Sequence, residues 1–220
     1  MCGDSDRSGS SAGGFGVGFN CDDVADWLLG VSPAMRVRCL ADAPDFVPWW
    51  VHTEDCPRRQ ENYQRDLAAF WSREPDTSCS LYMEDHGAEV TSEEASCGIF
   101  SQFLPFISTP LFIAVSQLDT LISRDYGCPE AGSEADIQLP WLSSMHELIT
   151  NLTVSRPSLG WWSPSCSLHT LLNNDKVTVE DMERPGLRLS LYQALASWLQ
   201  GETVHAVDSL DTPNPTCPST

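Results

Sequence analysis

Ser8-Gly9-Ser10-Ser11-Ala12-Gly13-Gly14-Phe15-Gly16 decides how the rest of this 220-residue chain is read. Within it, Gly9-Ser10-Ser11-Ala12-Gly13 fits G-x-S-x-G, the pattern of a sharp strand-to-helix turn that holds a serine hydroxyl at its apex. The serine backbone in such a turn is strained and its neighbours pass too close for a Cβ, so glycine is expected on both sides. The helix that follows points its free N–H groups at the serine and favours negative charge there. The same composition also suits a flexible Ser/Gly linker. The order of residues downstream decides between the two readings.

Outward from the turn, Gly13 to Leu29 reads as a helix, with Phe15, Phe19, Val24, Trp27 and Leu28 apolar and Gly30 closing it. Ala34 to Leu40 alternates apolar and basic residues, the period of a strand, and Ala41-Asp42-Ala43-Pro44 reads as the loop that ends it. A polar, helix-prone stretch runs from Arg58 to Trp71, with Leu67, Phe70 and Trp71 turned inward. Glu74 to Ser96 is rich in Asp, Glu and Ser and reads as an acidic surface insertion over 74–96.

Pro110-Leu111-Phe112-Ile113-Ala114-Val115 is the strongest strand signal, and its unbroken apolar run suits a strand covered on both faces of a mostly parallel sheet. Gly127 to Ser133 is loop, and Pro140 is expected to open a helix carrying Trp141, Leu142, Met145, Leu148, Ile149 and Leu152 on one side. A short strand and a loop around His169 occupy Trp161 to Leu172. A last helix is predicted from Leu187 to Leu199, ended by Gly201, and 208–220 is a Pro/Ser/Thr-rich tail.

The composition sets limits on partners. A net charge of −19, from 31 acids against 12 bases, argues against nucleic-acid and anionic-membrane partners, since phosphate contacts need clustered Lys and Arg. No stretch is long and apolar enough for a membrane span. Nine cysteines are spread along the chain without a CxxC pair, which suits disulfides in an oxidising compartment better than zinc or thioredoxin chemistry. The odd number leaves a thiol over, with Cys2 and a buried Cys39 the candidates. The sequon Asn151-Leu152-Thr153 makes Asn151 a candidate glycosylation site. Met1 to Ser11 lacks the apolar run of a signal peptide, so a secreted protein would carry its signal in sequence ahead of this chain.

Three residues stand in the order Ser11, Asp119, His169, which is the chain order of nucleophile, acid and base in α/β-hydrolases. A serine hydroxyl needs an imidazole to take its proton, and the carboxylate fixes the imidazole tautomer and stabilises the imidazolium. The backbone N–H of Ala12, next after the nucleophile, is the expected oxyanion donor. Asp42 also follows a strand and is a rival for the acid, although it precedes the strongest strand where the fold places the acid later.

Taken with Leu40-Ala41-Asp42, His52-Thr53-Glu54-Asp55-Cys56, Cys97-Gly98-Ile99-Phe100, Thr109-Pro110-Leu111-Phe112-Ile113, Cys166-Ser167-Leu168-His169 and Asn214-Pro215-Thr216-Cys217-Pro218, the elbow resembles the pectin acetylesterase family, and within it the Notum-type carboxylesterases. The resemblance implies an α/β-hydrolase-like, mostly parallel sheet with flanking helices. It implies a single partial esterase domain over 1–220, with residues 1–8 a leader outside the family pattern. It further implies Ser11, Asp119 and His169 as the catalytic residues with Ala12 at the oxyanion. Disulfides Cys166–Cys217 and Cys79–Cys97 are implied as well.

No metal or cofactor is implied, and the substrate would be an acylated extracellular, Wnt-like protein or an acetylated polysaccharide. Family domains begin well before the elbow. The early strands and the Gly-Gly-Trp loop with further oxyanion donors are therefore expected outside this chain, and the strand feeding the elbow is expected to be missing, because Cys2 to Arg7 is polar. The alternative is an inactive relative that serves as an extracellular binding module.

The remaining features have plainer readings. His52, His86, His146 and His205 lack neighbours at metal-ligand spacing and read as structural or surface residues. Phe46, Trp49, Trp50, Trp161 and Trp162 could line an acyl pocket or pack the core.

Overall fold

The computed structural model describes residues 4–44, 46, 77–85, 97, 100–119, 121–122, 134–209 and 214–218. Five parallel strands form the central sheet: β1 (Asp4–Ser10), β2 (Arg36–Asp42), β3 (Leu111–Ala114), β4 (Gly160–Ser163) and β7 (His205–Val207), in the order β1-β2-β3-β4-β7. β5 (Thr178–Glu180) and β6 (Arg188–Ser190) make a separate antiparallel hairpin. The helices are α1 (Ala12–Val31), α2 (Thr77–Asp85), α3 (Phe100–Phe103), α4 (Glu134–Ser155) and α5 (Leu191–Leu199). Among the described residues no helix is long and apolar enough to cross a membrane.

Side chains alternate across the sheet and build a core on each face. On one face Cys39, Ala41, Leu111, Ile113 and Trp161 meet α1, α3 and the α4 stripe of Trp141, Met145, Ile149 and Leu152. On the other, Phe112, Ala114, Trp162 and Ala206 meet Leu191, Ala194 and Trp198 of α5. Arg38, on that second side of β2, lies over the Trp198 ring and donates to the Leu199 carbonyl, so its charge stays out of the first core. A one-residue slip of β2 would exchange Arg38 with Val37 and Cys39 and is excluded for that reason.

The register matters for function. Ser10 pairs with Asp42, Asp42 with Ala114, and Ala114 with Trp162, so β1, β2 and β3 end in one row beside the penultimate residue of β4. Loops leaving that row open at the carboxyl edge of the sheet, where ligands bind in folds of this kind.

Several expectations are corrected. Asp4 to Ser10 is a strand in register with β2, although its sequence is polar: parallel pairing is a main-chain interaction and needs no apolar side chains. The feeding strand is therefore present, and its first five residues overlap the stretch 1–8 read as a leader. α1 runs through Gly30 to Val31, and β2 continues through Ala41 to Asp42. Pro140 lies inside α4, which begins at Glu134 rather than at the proline. The last helix begins at Leu191 rather than Leu187. Residues 188–190 pair with β5, and Ser190 and Gln193 form a reciprocal capping box.

Cys39 is not free. It is bonded to Cys21, which ties α1 to β2. Cys79–Cys97 and Cys166–Cys217 are also disulfides. Residues 58–71, 127–133, His52, His86, Cys2, Trp49 and Trp50 lie outside the described residues, and α2 occupies part of the 74–96 segment. Phe46 and Trp161 pack in the first core and Trp162 in the second, so all three are core residues.

Candidate active site

Ser11 sits at the junction of β1 and α1 with φ 57° and ψ −125°. A non-glycine residue there is strained by about 1–3 kcal/mol and persists only when its surroundings fix it. They do: the Ser11 N–H donates to the Asp42 carbonyl at 2.8 Å. A Cβ on Gly9 would collide with the Gly13 carbonyl, and one on Gly14 would come within 2.6 Å of the Asp42 carbonyl oxygen. The glycines that the turn requires are therefore Gly9 and Gly14. Gly13, expected to be the second, has nothing within 4 Å of the place its Cβ would take.

Ser11 is also the N-cap of α1, yet its hydroxyl makes no capping bond. The first-turn N–H groups, Ala12 among them, are thus left without that partner and open the positive end of a 20-residue helix at the serine. The hydroxyl turns elsewhere: Ser11 Oγ lies 2.7 Å from His169 Nε2. His169 Nδ1 is 2.8 Å from Asp119 Oδ2. The side chain of His169 is 21% exposed and that of Asp119 only 2%, so the relay runs from the interior to a surface that a substrate can reach.

Asp119 is held by the loop after β3. Its Oδ1 accepts from the N–H groups of Leu121 and Ile122, at 3.0 and 3.1 Å. Burial pushes its carboxyl above the usual range, and the hydrogen bonds from His169, Ile122 and Leu121 offset part of that. Two residues earlier, Gln117 is fully buried; its Nε2 donates to the carbonyls of Ser163 and Asp208.

The His169 loop is tied down from the other end of the chain. Cys217 is bonded to Cys166, and Asn214 donates to Asp208, whose carboxylate accepts from the Ser165 N–H. Asp42, the rival acid, is not hydrogen-bonded to His169, whose ring nitrogens face Ser11 and Asp119. It accepts instead from Ser10 and from the amides of Leu171 and Leu172. Sequence reading missed Gln117 and Asp208, which carry no motif, since each acts through carbonyl or amide partners distant in sequence.

His146 and His205 have structural partners, Gln117 for the first and Glu183 with the Leu159 carbonyl for the second. Among the described residues no three metal-ligating side chains converge.

The pectinacetylesterase family profile matches residues 7–218. Among solved structures, that of the Wnt deacylase Notum from Drosophila matches with a TM-score of 0.68 at 22% identity, over 98% of this chain and 60% of that one. At that identity the likeness is one of fold, an α/β-hydrolase sheet, and the chain spans about 60% of the Drosophila protein's length. No curated protein sequence matches it.

Proposed function

The chain belongs to the pectinacetylesterase family, and on that premise we propose that it is the nucleophile-bearing part of a serine carboxylesterase acting through an acyl-enzyme. The observation that carries the proposal is the unbroken hydrogen-bonded relay Asp119–His169–Ser11, assembled from three separate loops at one edge of the sheet.

In this reading Ser11 Oγ attacks the ester carbonyl while His169 Nε2 takes its proton. Asp119 keeps the remaining imidazole proton on Nδ1 and stabilises the imidazolium. The negative charge that develops on the carbonyl oxygen meets the Ala12 N–H and the positive end of α1. Collapse of the tetrahedral species expels the alcohol, which receives the proton from His169. Water, deprotonated by the same imidazole, then cleaves the acyl-serine and releases the acid. No metal or organic cofactor enters the scheme.

The substrate class is an O-acyl ester, either acetyl on a polysaccharide or an acyl chain on an extracellular protein such as a Wnt. The disulfides found among the described residues suit a secreted protein, and the exposed Asn151 on α4 is the proposed glycan acceptor.

The test compares wild type with Ser11→Ala for fluorophosphonate labelling and hydrolysis of a short-chain ester. Labelling in wild type alone is the expected result. Equal labelling in both would remove Ser11 from its role, and none in either would favour the inactive, binding-only relative.

A further inference from the structure

We propose that Asp42 is a positioning residue for the reaction, joining the nucleophile turn to the histidine loop; the proposal rests on the esterase reading above. Asp42 is the last residue of β2, in the strand row directly beside Ser10, and is fully buried. Each part of it holds something different. Its backbone carbonyl accepts from the Ser11 N–H at 2.8 Å and so fixes the strained residue itself. Its Oδ2 accepts from the Ser10 hydroxyl at 2.7 Å. Its Oδ1 accepts from the Leu171 N–H at 2.9 Å, and Oδ2 takes the Leu172 N–H at a longer 3.4 Å. Leu171 and Leu172 follow His169 by two and three residues.

One buried side chain thus bridges the residue before the nucleophile and the segment just after the base, which are some 160 positions apart in sequence. Every group named facing the two oxygens is a donor. A buried N–H needs an acceptor, and the carboxyl group supplies one to each of two loop amides. Without it the loop is free to shift relative to Ser11, and a displacement of about 1 Å at a reacting pair can cost about 10²-fold in rate. Asp42 does not reach the imidazole or Ser11 Oγ, so it acts through placement alone.

Asp42→Asn tests this. The Ser10 hydroxyl can reverse and accept from the asparagine amide, but whichever way the amide nitrogen points, one of the two loop amides loses its acceptor. Hydrogen–deuterium exchange should rise about tenfold at one or both of the Leu171 and Leu172 amides, the scale of one lost hydrogen bond, and stay unchanged at Trp161, whose N–H is bonded to the Val204 carbonyl. With short-chain ester, kcat per fluorophosphonate-titratable site should fall about 10²-fold with KM within about twofold. Ser10→Ala serves if Asp42→Asn does not fold: it should lower kcat about fivefold, the scale of one hydrogen bond, again with KM unchanged. An active wild type whose variants keep its kcat and its exchange pattern overturns the role of Asp42 alone. A wild type that neither labels nor hydrolyses overturns the esterase reading, and the positioning role with it.

Discussion

A Cβ on Gly9 would fall on the carbonyl of Gly13, whereas a Cβ on Gly13 would meet nothing within 4 Å. The two glycines of the same pentapeptide are therefore unequal. Gly9→Ala and Gly14→Ala, the latter meeting the Asp42 carbonyl oxygen at 2.6 Å, should destabilise the protein and distort the turn. Gly13→Ala and Gly16→Ala lie in α1 in open space and should stabilise it by up to about 1 kcal/mol each, the helix-propensity difference. Urea unfolding of the four variants reads the signs directly; a stable Gly9→Ala would contradict the geometry of the turn.

Asp119→Asn is expected to lower the rate of Ser11 labelling by about 10⁴-fold while leaving the fold intact. The asparagine oxygen can still accept from the Leu121 and Ile122 amides. That turns its NH₂ toward His169 Nδ1 and drives the imidazole proton to Nε2, so the nitrogen facing Ser11 becomes a donor and cannot act as base. Labelling at the wild-type rate would mean that Asp119 does not set the tautomer.

The same carboxyl gives a pH signature. Burial raises its folded pKa above the ordinary 3.8. Between these two values the folded state holds more protons than the unfolded state, so Asp119 lowers stability as pH rises from about 3.8 through the raised value. Unfolding free energies of wild type and Asp119→Asn, measured across that window, should diverge in favour of the variant with rising pH. A parallel pair of curves would mean that the burial cost is absent.

Cys21 and Cys39, bonded at a separation of 18 residues, fasten α1 to the strand that carries Asp42. Replacing both by alanine should cost about 3 kcal/mol by the loop-closure estimate. Peptide mapping without reduction should recover the 21–39 cross-link, and a Cys39 that alkylates freely in the folded protein would disprove the pairing.

Much of this architecture was written locally. The β3 run Leu111–Ala114 carries its own burial on both faces, and the α4 stripe from Trp141 to Leu152 repeats at the helical period. Other elements were legible but overlooked: Ser190 with Gln193 three residues on is the capping-box signature that starts α5 where it starts. β1 was not legible, because nothing in Asp4 to Arg7 marks a strand. Its pairing is supplied by the backbone of β2, a neighbour separated from it by the whole of α1.

The sequence by itself determined the turn at Ser11, the order of hydroxyl, carboxyl and imidazole, and the family, because each depends on residue type at short spacing or on chain order. Tertiary structure decided the rest. Chain order already favoured Asp119 over Asp42 as the acid; only packing could bring it to His169, couple Cys39 to Cys21, and turn Asp42 into a bridge between two loops. Hydrogen bonds and disulfides depend on distances of a few ångströms between groups far apart in the chain, and no local pattern of side chains encodes those distances.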